Sequence, residues 1–123
     1  MKIMVVDDEE DVQILFKQRF RKEIRSGTIE FKFAFSGESA LDYLKKEGES
    51  NISQIFSDIN MPGMNGIELL KRIKEQYNDL KVSMITAYAD EHNFHEAKEY
   101  GCDDYFTKPI DFTYLKQKIF TTS

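Results

Sequence analysis

The sequence predicts an α/β protein, a doubly wound three-layer (βα)5 sandwich around a five-stranded parallel sheet in the order 2-1-3-4-5. Three observations predict it. Short apolar runs ending near Val6, Phe35, Phe56, Ile85 and Phe106 alternate with longer segments of helical periodicity. Runs such as KIMVV and VSMIT are too apolar to face water on either side, as expected of parallel strands covered by helices. Right-handed crossovers then set helices on both faces, and the order 2-1-3-4-5 suits five strands.

Each element has its own signal. After the first strand, Glu9, Glu10 and Asp11 open a helix whose Val12, Phe16, Phe20 and Ile24 share one face at four-residue spacing, with Gly27 as its stop. Ser36 can cap a second helix carrying Ala40, Leu41 and Leu44, which Gly48 would end. Asn65 with Glu68 three residues later reads as a capping box for the third, with Ile67, Leu70 and Ile73 facing inward. Asp90 and Asp111 are the expected caps of the fourth and fifth.

The chain has 123 residues, enough for one domain (1–123) that buries about two thirds of its unfolded surface. No repeat, low-complexity tract or linker divides it. A hydrophobic share of 41% against 32% charged residues is that of an ordinary globular protein. The net charge of −5 argues against a nucleic-acid surface, which needs a basic face. A lone cysteine, Cys102, cannot form an internal disulfide and reads as a packing residue. The apolar start is too short for a signal peptide or membrane span, so a cytoplasmic location with no membrane contact is expected.

The polar residues fall where the strands end. Asp7 and Asp8 close the first strand, Asp58 the third and Thr86 the fourth, while Lys108 follows the fifth. A polar strand exit is ordinary taken singly. In a 2-1-3-4-5 sheet, however, these five converge on one edge. Two carboxylates about 4 Å apart repel by roughly 4 kcal/mol at an effective dielectric near 20. Such a cluster persists if it holds a divalent cation or takes up a proton. All-oxygen ligands suit Mg²⁺ (or Mn²⁺). A carboxylate nucleophile, a metal, an ammonium and a hydroxyl together suit phosphoryl transfer through an aspartyl phosphate. Asp7 and Asp8 share a strand end and look like a metal pair; Asp58, alone opposite them, is the better nucleophile.

The stretches VVDDEED, SDINMPGMNG, MITAYAD and DDYFTKPI together resemble the receiver domain of two-component response regulators, in order and spacing from Lys2 to about Phe120. The resemblance implies that Asp58 accepts phosphate from a histidine kinase or histidine phosphotransfer protein. It implies Mg²⁺ held by Asp8, Asp58 and the Asn60 carbonyl, with Asp7 acting mainly through a bound water. Thr86 and Lys108 would hold the phosphoryl oxygens, and Tyr105 matches an aromatic switch position. The Lys108–Pro109 bond matches one that is usually cis. The implied protein is a signalling switch in a phosphorelay, not an enzyme with a turnover substrate, although it catalyses its own phosphorylation and dephosphorylation. Its output would pass to a downstream effector protein or a C-terminal output domain outside this chain, and a phosphorylation-dependent homodimer stays open.

Two rivals share parts of this chemistry. A haloacid-dehalogenase-type phosphatase also forms an aspartyl phosphate, but needs a second Asp two residues on as general acid, and position 60 is Asn. A flavodoxin-like cofactor protein would share the fold, but DDEED after the first strand would repel an FMN phosphate. Elsewhere, His92 and His95 read as solvated polar residues, and Phe94 and Tyr100 as packing near the fourth helix and fifth strand. Lys17, Arg21 and Arg25 read as a solvated stripe on the first helix, which in the family commonly lies in the kinase-docking surface. Tyr88, two residues beyond Thr86, is expected to shield an aspartyl phosphate from water and slow its hydrolysis.

Overall fold

The computed structural model describes residues 1–87 and 90–121. Five strands, β1 (Lys2–Val6), β2 (Glu30–Ala34), β3 (Gln54–Asp58), β4 (Lys81–Thr86) and β5 (Tyr105–Thr107), form one parallel sheet in the order β2-β1-β3-β4-β5. Alternate residues of each strand feed opposite cores, as a period of two requires. Met4, Val6, Ile55, Val82 and Met84 pack under α3 (Gly37–Glu47), α4 (Gly66–Gln76) and α5 (Glu91–Glu99), through Leu44, Leu70, Ile73 and Ala97. Ile3, Val5, Phe56 and Phe106 pack against α1 (Glu10–Arg19) and α6 (Phe112–Thr121) on the other face. The expected order and three-layer build are therefore the observed ones.

The helix starts follow side-chain capping. Ser36 accepts from the Ser39 N–H at 3.0 Å, Asn65 from Glu68 at 2.9 Å, Asp90 from His92 at 2.8 Å and Asp111 from Tyr114 at 3.1 Å. Only the Asn65 half of the expected capping box is made: the Glu68 carboxylate lies 3.7 Å from Arg72, one turn on.

The first helix differs from expectation. It breaks at Phe20 (φ −107°, ψ 20°), and the remainder is a separate short helix, α2 (Arg21–Arg25). The reason lies in packing. Phe16 and Phe20 are fully buried, stacked at 5.9 Å, and both meet Phe31 and Phe112 edge-on at 5.1–6.0 Å. Beyond Phe20 the core gives the helix nothing to hold. No residue of α2 is buried, and Ile24, expected on the inner face, is 38% exposed. The next buried anchor is Ile29, reached through Gly27, whose φ of 78° lies in the left-handed region that glycine tolerates.

Gly66 fixes how closely α4 approaches the sheet edge. Its N–H donates to the Ile59 carbonyl at 2.8 Å, and a Cβ there would lie 2.0 Å from the Asp58 carbonyl oxygen. Gly66→Ala is expected to cost ~3 kcal/mol or more, because backbone must move to admit the methyl group. Urea unfolding measures this, and an unchanged midpoint would refute the close approach.

Candidate phosphoryl-transfer and metal site

The carboxyl end of the sheet gathers the charged residues. Asp7 follows β1, and its N–H donates to the Ala34 carbonyl of β2 at 3.0 Å. Its Oδ1 accepts the Glu9 N–H at 2.9 Å and its Oδ2 the Lys108 ammonium at 3.1 Å. Asp58 ends β3, with Oδ1 accepting the Ile59 N–H at 2.8 Å and Oδ2 lying 3.7 Å from the Lys108 ammonium. Asp8 is exposed beside them, and carboxylate oxygens of Asp7, Asp8 and Asp58 lie within 4.8 Å of one another. Asp7 and Asp58 are each only 6% exposed.

The other positions surround this cluster. Thr86 ends β4, fully buried, and its carbonyl accepts the Lys108 N–H at 2.8 Å, which ties the two loops together. The Lys108–Pro109 peptide is cis. Asn60 is exposed, two residues beyond Asp58. Tyr105 lies on β5, its ring edge-on to Phe94 at 5.1 Å and its hydroxyl buried with no hydrogen-bond partner among the described residues. Tyr88 lies outside the described residues.

Two supports were not apparent in the sequence, because each joins residues that only the folded chain brings together or a carbonyl with no side-chain signature. Glu38 on α3 accepts the Met64 N–H at 3.2 Å, bracing the loop after β3 from 26 residues away. The Ser57 hydroxyl donates to the Asp58 carbonyl at 2.9 Å.

Electrostatics make the cluster unsettled. Burial raises the Asp58 pKa to about 6, the Asp7 carboxylate adds to this, and Lys108 opposes it. For Lys108, burial alone would lower the pKa, but Asp7 and Asp58 outweigh it and hold the ammonium above its usual range. The donor set is all oxygen, and a divalent cation would relieve the repulsion among the three carboxylates, so these residues fit Mg²⁺ or Mn²⁺.

A match to the response regulator receiver domain covers residues 3–120. The chain belongs to the receiver domain family. This receiver is 36% identical over 118 residues to sporulation initiation phosphotransferase F of Bacillus subtilis, covering 96% of this chain and 90% of that protein. It is 38% identical over 121 residues to chemotaxis protein CheY-3 of Vibrio cholerae, covering 97% and 88%. The receiver also superposes with a TM-score of 0.85 on a chain of the CheX-CheY-BeF3-Mg complex from Borrelia burgdorferi, at 28% identity, covering 97% of this chain and 86% of that one. Among the described residues no helix is long and apolar enough to cross a membrane.

The raised Asp58 pKa sets a sign for stability. Below about pH 4 the carboxyl is protonated folded or unfolded and contributes nothing. As pH rises toward 6 the folded state holds the extra proton, so stability falls, and above 6 the loss is complete. In metal-free buffer, Asp58→Asn should therefore stabilise the receiver by on the order of 1–3 kcal/mol at pH 8 and by clearly less at pH 5. Thermal melts at the two pH values decide; an equal gain at both would contradict the assignment.

Proposed function

We propose that this domain, residues 1–123, is a phosphorylation-driven switch in a phosphorelay, with Asp58 as its phosphoryl acceptor. The observation that carries the reading is the Asp58 carboxylate, buried at a strand end, 3.7 Å from Lys108 and grouped with Asp7 and Asp8. Asp58 Oδ2, the oxygen facing Lys108, attacks the phosphorus of a phosphohistidine. An O–P bond forms as the N–P bond breaks, and the electron pair returns to the imidazole nitrogen, which takes a proton. Lys108 sits where it can neutralise a phosphoryl oxygen, and Thr86 moves toward the same group.

Mg²⁺ or Mn²⁺, when bound, supplies positive charge against the carboxylate and phosphoryl oxygens. Asp8, Asp58 and the Asn60 carbonyl would hold it, with Asp7 acting mainly through a bound water. The Borrelia relative, described as a complex with BeF3 and Mg, supports this reading. The donor is a histidine kinase or histidine phosphotransfer protein, in keeping with the phosphotransferase relative. The output is a downstream effector protein or an output domain outside this chain, in the cytoplasm.

The phosphoryl group adds roughly −1.5 to −2 of charge at one carboxylate. Carrying a two-state domain from 1:99 to 99:1 takes about 5.5 kcal/mol, within reach of a few charge-assisted hydrogen bonds of roughly 1.5–3 kcal/mol each. Tyr105 supports a second state. Its buried hydroxyl has no partner among the described residues, a cost of about 1–3 kcal/mol that a rearrangement giving it one would remove.

Acetyl phosphate or phosphoramidate with Mg²⁺ should label the wild type and not Asp58→Asn, read by intact mass; equal labelling would sink the assignment. Tyr105→Phe should leave the unphosphorylated protein as stable as wild type or up to about 1 kcal/mol more stable, since it deletes an unpaired hydroxyl. A clear loss of stability in denaturant titrations would show that the hydroxyl is satisfied.

A further inference from the structure

The segment KQRFRKEIR, residues 17–25, holds Lys17, Arg19, Arg21, Lys22 and Arg25 against Glu23 alone, in a chain whose net charge is −5. Glu23 is already engaged, 3.2 Å from Lys116 of α6. Among the described residues no carboxylate lies within ion-pair distance of Lys17, Arg21 or Arg25; Lys17 instead lies 5.6 Å over the Phe33 ring.

These three cations border a groove of about 850 Å³ whose apolar surface comes from Ile24, Phe31 and Phe33. A carboxylate that lines it, Glu30, is turned to Lys2 at 3.8 Å. The break at Phe20 leaves Ile24 38% exposed beside this surface instead of buried under it. The groove runs along β2, an edge strand paired only with β1, so nothing in the sheet covers it. A solvated charged face does not account for an exposed Ile24 beside the partly buried Phe31 and Phe33, among cations with no carboxylate partner in the described residues.

The groove follows β2 from Gly27 and Ile29 at its start to Phe33, the register partner of Val5, on the edge strand two strands away from Asp58. Asp7 and Asp58 lie at the carboxyl end of the sheet, whereas Gly27 and Ile29 lead into the start of β2, where Glu30 pairs in register with Lys2. From Glu10, next to the cluster, α1 rises roughly 14 Å to Arg19, and Arg21 and Arg25 lie beyond the break. An occupant of the groove need not touch Asp58.

We propose that this groove docks an acidic amphipathic helix of a partner protein. Carboxylates of that helix spaced about one turn apart would face Arg21 and Arg25, which lie four residues and about 6 Å of rise apart on α2, and Lys17 near the end of α1. The apolar stripe of the helix would cover Ile24, Phe31 and Phe33 in the helix-in-groove manner. Charge decides the class of partner. Net −5 repels a nucleic acid or an anionic membrane as a whole, while a short acidic helix meets only the local basic patch.

The probe is a fluorescein-labelled helical peptide with Glu at every fourth position and Leu along the adjoining stripe, titrated by anisotropy. Wild type and Asp58→Asn should bind it equally. Arg21→Glu/Arg25→Glu and, separately, Ile24→Ser should each weaken binding by about tenfold or more. Circular dichroism confirms that each variant is folded; all three positions are exposed, and Ile24→Ser leaves the charge intact. A scrambled peptide of the same composition should not bind, and amide NMR shifts should fall on residues 17–33. Equal binding by the charge-reversed variant or by the scrambled peptide, or shifts centred elsewhere, would overturn the proposal. So would failure to bind the peptide while the groove mediates self-association in sedimentation or binding to phosphatidylserine vesicles.

Discussion

One ammonium group holds together an arrangement that would otherwise push itself apart. Asp7, Asp8 and Asp58 bring three carboxylates within 4.8 Å of one another, and Asp7 and Asp58 have almost no contact with water. Lys108 lies 3.1 Å from one and 3.7 Å from the other, reaching in from the loop after β5. It does not fully compensate them, since Asp58 still titrates near 6. The site is therefore built with a deficit of positive charge. Such a deficit is what a divalent cation would fill.

The sheet imposes this frustration and the two cores sustain it. Strand order sets β1 and β3 side by side, so their exits must be neighbours, and β4 and β5 bring Thr86 and Lys108 alongside. Ile55 and Phe56, adjacent in sequence, are anchored in opposite cores, which fixes the register of β3 and with it the direction of Asp58. Gly66 lets α4 close onto the same strand end, while Glu38 braces the loop between them. A local rule is broken where a group of charges is needed, and apolar packing on both faces bears the cost.

Much of this was legible in the sequence because it depends on local signals. Apolar runs gave the strands, side-chain caps at Ser36, Asn65, Asp90 and Asp111 gave the helix starts, and the strand order brought Asp7, Asp8, Asp58, Thr86 and Lys108 to one edge. What was not legible depends on tertiary contacts. The four-residue period runs unbroken through Ile24, so nothing local marks the break at Phe20, which follows from where the aromatic core ends. The same break turns a stripe of cations into the rim of a groove. The Asp58 pKa and the Tyr105 hydroxyl, unpaired among the described residues, likewise follow from burial, which a sequence does not print.

Asp58 belongs to a buried, under-compensated carboxylate cluster whose all-oxygen donors fit a divalent cation. Carbon-detected NMR titration of the aspartate carboxyls, with and without Mg²⁺, reads this balance of charge. Without metal, Asp58 should titrate near 6. With saturating Mg²⁺ its midpoint should fall by more than about one unit, as an opposite charge at close range requires. An Asp58 that titrates in the ordinary carboxylate range and is indifferent to Mg²⁺ would show that the cluster is neither under-compensated nor a cation site.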